Sequence, residues 1–171
     1  LVKQWERCVA LTHGEDYVMV LGDDDVLGDH AVEQFHRKTT RVPSAKVLRY
    51  ATQIIDSEGK ITTDVYVHPD GETSVDFLFR KSRSSMSEYI FSSKQIALRG
   101  FKDFPLAWYS DVVAVLDFSD FGPVHTINDA VVQVRVSEAS ISGSRTGFVR
   151  KNAAAFAFYH YLLTKQKHHF T

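Results

Sequence analysis

Residues 17–29 read YVMVLGDDDVLGD, a run of β-branched and apolar side chains that ends in three consecutive carboxylates, Asp23, Asp24 and Asp25. The run YVMVLG predicts a strand buried on both faces, the pattern of a central strand in a largely parallel sheet. Adjacent like charges repel, so three acids emerging from the core of a sheet predict a cation among them. Hard carboxylate oxygens suit Mg2+ or Mn2+. An EF-hand loop is the rival metal site, and Asp23, Asp25 and Gly28 match its first, third and sixth positions. It fails at Leu27, and at Gln34 where the bidentate Glu belongs.

Outward from this stretch the pattern alternates helices with strands. Upstream, KQWERCVALT (residues 3–12) sets Trp5, Val9 and Thr12 on one helical face, and Gly14 ends it. Downstream, Asp29 is placed to cap a helix over HAVEQFHRKTT, with Ala31, Val32 and Phe35 on one face. AKVLRYATQIID and KITTDVYVH predict a hairpin about the turn DSEG. Short helices are predicted after Thr73 or Ser74 and between Ser92 or Ser93 and Gly100. Ser110 is placed to cap DVVAVLDFS, which puts Asp111 in a first helical turn. PVHTIN and DAVVQVRVS predict strands, EASISGSRTG a loop, and FVRKNAAAFAFYHYLLTK a long helix. The fold class is therefore α/β, a mixed sheet flanked by helices, in a single domain over residues 1–171. In such sheets ligands collect outside the carboxyl ends of strands, where GDDD is predicted to lie.

Composition narrows the function classes. Lys and Arg number 20 against 21 Asp and Glu, so no global charge draws the chain to nucleic acid. No apolar run approaches the ~18 residues needed to cross a bilayer. The lone cysteine, Cys8, is expected to be a small buried hydrophobe, and a reducing cytosol suits it. His125, His160, His168 and His169 fall at no strong metal-binding spacing.

DYVMVLGDDDVLGDHAVEQF resembles the segment of family 2 glycosyltransferases in which a hydrophobic strand ends in a D-x-D type motif and a helix follows. EYIFSSKQIALRGFKDFPLAWYSD resembles the acceptor-side segment of that family, and VVQVRVSEASISG its closing strand and Ser-rich loop. Together these matches run from about Tyr17 to Gly143. The resemblance implies a GT-A-like fold and the inverting transfer of a sugar from a nucleotide-diphosphate sugar to a glycan or lipid-linked acceptor. It implies Mg2+ or Mn2+ as cofactor, held by Asp25 and Asp23, with Asp23, Asp24 and Asp25 sharing metal, ribose and donor sugar. Gly22 stands where the paired-Asp form of the motif has its leading acid. Asp111 matches the catalytic base, kept ionised by the positive end of its helix. Asp103 and Asp117 are weaker candidates for that role. Trp108 and Tyr109 are placed either to stack on an acceptor sugar or to plug the core, while Arg135, Arg145 and Arg150 read first as solvated surface charge, with contact to a diphosphate as the alternative.

The resemblance also implies a nucleotide-binding region ahead of the acidic strand, where this chain has one predicted helix and opens on Leu1. The 171 residues alone are thus expected to show little or no transferase activity. The resemblance suggests a cytoplasmic setting for polysaccharide or surface-glycan assembly, with association to the cytosolic face of a membrane as a further option. Two other classes remain open: a non-catalytic carbohydrate-binding or assembly module, and a Mg2+-dependent phosphohydrolase. No nucleophile motif accompanies the triplet to favour the last.

Overall fold

The computed structural model describes residues 1–79, 84–137 and 147–170. It is a mixed α/β arrangement in which one sheet separates two helical layers. The strands are β1 (Tyr17–Met19), β2 (Val26–Leu27), β3 (Val47–Ile55), β4 (Gly71–Glu72), β5 (Tyr89–Ser92) and β6 (Val124–Arg135). The helices are α1 (Val2–Val9), α2 (Ala31–Arg41), α3 (Ser74–Phe79), α4 (Ser93–Arg99), α5 (Ser110–Phe118) and α6 (Phe148–Lys165).

The sheet order is β1-β5-β3-β6-β2, with β4 also paired to β6. Among the described residues only β3 and β6 pair in parallel, and the other pairings are antiparallel. Alternation along the strands sends successive side chains to opposite faces. Val47, Tyr89, Phe91 and Val124 meet α1 and α3 to α6 on one face, while Leu48, Tyr50, Ile90, Val132 and Val134 meet α2 on the other. β1 and β2 lie at opposite edges, so residues 20–25 cross over the ends of β5, β3 and β6.

Several expectations are corrected. YVMVLG is not a central strand: β1 spans three half-buried residues and is paired only with β5. The central positions go instead to β3 and β6, whose longer apolar runs bury more surface. The returning limb of the predicted hairpin makes only isolated bridges, Thr52 to Tyr66 and Ile55 to Ile61. Thr63 interrupts that ladder, because its hydroxyl accepts the Ile54 N–H at 3.0 Å where a backbone carbonyl would stand. Asp29 does not cap α2; the cap position is His30, at φ 60, with no side-chain cap bond. Val32 is exposed rather than on the buried face, and Cys8 is exposed. The two strands predicted over residues 123–137 are one strand, β6, with a register shift opposite Tyr50 and Ala51.

A buried polar cluster lies within the sheet. Arg49 on β3 is fully buried, is ion-paired with Glu72 on β4, and donates from Nε to the Thr126 hydroxyl at 3.1 Å. Removing one member of such a pair strands a charge away from water.

Candidate functional site at the carboxyl end of the sheet

β1, β3 and β6 run in the same direction, and the residues following each gather at one end of the sheet. The acidic triplet follows β1, Asp56 follows β3, and Arg135 closes β6. Arg135 joins all three: its side chain donates to the Asp24 carbonyl at 2.9 Å and to the Asp56 carbonyl at 2.6 Å. Its backbone N–H donates to Asp25 Oδ1 at 2.7 Å.

The three acids are not equivalent. Asp23 and Asp24 are exposed, whereas Asp25 is half-buried and held in one orientation. Its second oxygen, Oδ2, accepts a hydrogen bond from the Ser87 hydroxyl. That same hydroxyl accepts the Gly22 N–H at 2.9 Å. Gly22 is required by this packing, since a Cβ there would stand 2.8 Å from Asp25 Oδ2.

Asp111 sits in the first turn of α5, as the sequence predicts, although Tyr109 occupies the cap position. The Ser110 hydroxyl faces the other way and accepts the Phe104 N–H at 3.3 Å. Asp111 Oδ2 accepts a 2.7 Å hydrogen bond from Ser84, whose hydroxyl also lies 2.8 Å from the Tyr89 hydroxyl. The residue is half-buried by surface, yet desolvation of its carboxyl raises its pKa above the ordinary aspartate value. The Ser84 hydrogen bond and the backbone amides of the helix start oppose that rise without reversing it. Burial thus outweighs the helix end in setting the direction of the shift. The loop before Asp111 holds Leu106, Ala107 and Tyr109 at φ 61, 54 and 69, values that cost free energy for residues with a Cβ.

Residues 84–87 link the two carboxylates. Ser84 binds Asp111 at one end of this segment and Ser87 binds Asp25 at the other. Between them, Ser85 and Glu88 form a reciprocal cap on the turn Met86–Glu88. Glu88 Oε2 accepts the Ser85 N–H at 3.2 Å, while Oε1 has no hydrogen-bond partner among the described residues and lies 3.9 Å from His68 Nε2. Burial pushes the Glu88 carboxyl up to about 8, and the nearby Asp111 charge adds to the rise. Sequence reasoning passed over Ser84, Ser87 and Glu88. The signal was legible in part, since Ser85-Met86-Ser87-Glu88 spells the S-x-x-E capping pattern.

Of the acceptor-side aromatics, Tyr109 stacks on Phe158 at 4.6 Å and also lines a cavity of about 490 Å3. Trp108 packs edge-on to Tyr109 and carries the Lys151 ammonium 4.6 Å above its ring. The cavity includes Ser84 among otherwise largely apolar walls that include Phe77, Leu78, Val112, Leu162 and Phe170. Asp117 is taken up elsewhere, accepting from Tyr161 at 2.6 Å and Gln166 at 3.0 Å, and Asp103 is exposed. Arg150 lies on the exposed start of α6, and Arg145 falls outside the described residues.

Among the described residues, no group of three or more His, Cys, Asp or Glu side chains converges as a metal cage. The donor set still fits a hard divalent ion, because Mg2+ is commonly held by one or two carboxylates with the remaining positions filled by water and substrate phosphates. Each Asp25 oxygen accepts one hydrogen bond and keeps a lone pair for such a ligand. Comparison of the chain with protein-family models and with curated proteins finds no match.

Proposed function

We propose that this chain carries the acceptor side of a metal-dependent, inverting glycosyltransferase of GT-A-like fold. The observation that supports this reading is the link made by residues 84–87, which ties the oriented Asp25 to Asp111 at the carboxyl end of the sheet. A sugar transferase needs two such acids in different roles. Asp25, with Asp23 beside it, would hold Mg2+ or Mn2+, which supplies charge neutralisation for a leaving diphosphate. Asp24 and Asp23 face solvent, where donor hydroxyls and phosphates approach.

Asp111 is the proposed general base. The acceptor hydroxyl oxygen forms a bond to the anomeric carbon as its proton passes to the Asp111 carboxylate. The bond from that carbon to the diphosphate breaks on the opposite side, and the diphosphate leaves with the electron pair. A pKa raised by burial makes Asp111 a better proton acceptor than a solvated aspartate, and the Ser84 hydrogen bond orients it. Tyr109 and the adjoining cavity provide apolar surface for the acceptor, beside Ser84.

Calorimetric titration with Mn2+ and nucleoside diphosphates tests the reading. Binding by the wild-type chain and its loss in Asp25→Asn support it. Indifference of both proteins to metal and nucleotide favours the non-catalytic carbohydrate-binding module.

A further inference from the structure

Residues 84–87 divide the site by chemistry. At the Ser87 end stand Asp25, Asp24 and Asp56, joined by Arg135. At the Ser84 end lies the cavity of about 490 Å3, whose lining carries one charged side chain among the described residues, Lys167. Sites that enclose a small organic molecule commonly measure about 300–1,000 Å3. Leu78 and Phe79 of α3, Val112 of α5, and Tyr159 and Leu163 of α6 form much of the wall. Phe79, Tyr159 and Leu163 are 73%, 57% and 68% exposed, so the apolar surface continues to the mouth.

The cavity adjoins the proposed base. Ser84 lines it and donates to Asp111 Oδ2 at 2.7 Å, so the carboxylate lies one hydrogen bond behind the wall. Tyr109 and Val112, two residues before Asp111 and one after it, line it as well. A molecule that presents a hydroxyl to Asp111 from this side lays the rest of its body along the apolar wall.

Hydrogen bonding decides what that body is. A sugar chain carries hydroxyls on every ring, and each one taken out of water needs a partner. The described lining offers few: the hydroxyls of Ser84, Tyr109 and Tyr159 and the Lys167 ammonium. Ser84 is already engaged with Asp111 and Tyr89. An aryl or alkyl body needs no such partners and gains by leaving water.

We propose that the acceptor is an apolar alcohol, a hydroxyl carried on an aryl or short alkyl body that fills this cavity, and not a sugar chain. The step is the one described for Asp111, with this alcohol's oxygen as nucleophile and its proton passing to the carboxylate. The proposal rests on the transferase reading and narrows the acceptor class for it.

NMR titration of the whole chain with octanol, para-butylphenol and maltotriose tests it. The two alcohols are expected to bind saturably, to shift the resonances of Val112 and Leu163, and to move the carboxyl titration of Asp111, while maltotriose does none of these. Phe79→Glu with Leu163→Glu is expected to weaken octanol binding about tenfold or more. Should that double variant unfold, Tyr159→Glu carries the same expectation. The proposal is overturned by the absence of saturable shifts, by an Asp111 titration that bound alcohol leaves unmoved, by maltotriose binding as tightly, or by wild-type affinity in a folded variant. Parallel titration with Mn2+ and a nucleoside diphosphate separates the two readings. A chain that takes metal and nucleotide but neither alcohol loses only the apolar acceptor. One that takes the alcohols but ignores metal and nucleotide overturns the transferase reading, and with it the alcohol's role as acceptor.

Discussion

Ser84 donates a 2.7 Å hydrogen bond to Asp111 Oδ2 and lies 2.8 Å from the hydroxyl of the fully buried Tyr89. The orientation of the proposed base is therefore set by a strand on the far side of the chain link, not only by its own helix. Ser84 stabilises the ionised carboxylate against the cost of burial. Ser84→Ala should raise the Asp111 pKa further, moving its carboxyl titration, followed by NMR, to higher pH. An unmoved or lowered titration would refute the role given to Ser84.

Gly22 and Gly28 predict different responses to alanine. At Gly22 the new Cβ meets the end of the Asp25 side chain, which can swing away. Gly22→Ala should cost about 1 kcal/mol of stability, for the Ser87 and Arg135 hydrogen bonds to Asp25 that the swing breaks, and abolish the binding of metal and nucleotide that Asp25 is proposed to support. At Gly28 the Cβ stands 2.6 Å from the Val131 carbonyl oxygen, on backbone that also receives the Gly28 N–H at 2.9 Å. Gly28→Ala should cost about 1–3 kcal/mol in denaturant unfolding. Metal and nucleotide binding retained by Gly22→Ala would contradict this assignment.

Glu88 makes stability depend on pH. Its folded carboxyl titrates at about 8 against an ordinary value of 4.5, so the folded state holds a proton that the unfolded chain releases. The resulting stabilisation is fully present below the unfolded value and is lost as pH rises toward 8. Glu88→Gln removes this titration and should flatten the stability profile between pH 5 and 8, as measured by urea unfolding across that range. A variant profile as steep as that of the wild type would assign the slope to other groups.

The Arg49–Glu72 pair is fully enclosed. Glu72→Ala strands the guanidinium and should destabilise the fold by about 3–5 kcal/mol, whereas Arg49→Met combined with Glu72→Leu should cost much less. Equal losses in the single and double variants would show that the charge itself is not the burden.

Local signals in the sequence carried the helices better than the strands. α6 begins and ends where its apolar pattern does, and α4 (Ser93–Arg99) ends at Gly100, whose φ of 61 suits a residue without a Cβ, because such signals lie within a few residues of one another. β5 escaped notice since four residues between a capped turn and a helix leave no room for alternation to show. The edge placement of β1 was equally hidden, for strand order depends on contacts such as Tyr17 to Ser92 that are distant in sequence. At the site, the residue types were legible and their connection was not. Asp25 and Asp111 were each marked by a local motif, but Ser84 and Ser87 acquire meaning only once β5 brings their segment between them.

The crossing of residues 20–25 from one sheet edge to the other limits its own length. Three strands intervene between β1 and β2, so the path must cover four strand spacings, about 19 Å at ~4.8 Å each in a flat sheet. An extended chain from Met19 to Val26 reaches roughly 24 Å, and the turn closed by Asp25 N–H on the Gly22 carbonyl consumes part of that reach. The acidic segment is consequently a strap with little slack. Deleting one residue would pull β1 off β5 or β2 off β6, while an insertion would let the carboxylates wander from Ser87. The number of residues in this strap constrains the protein as firmly as the charges it carries.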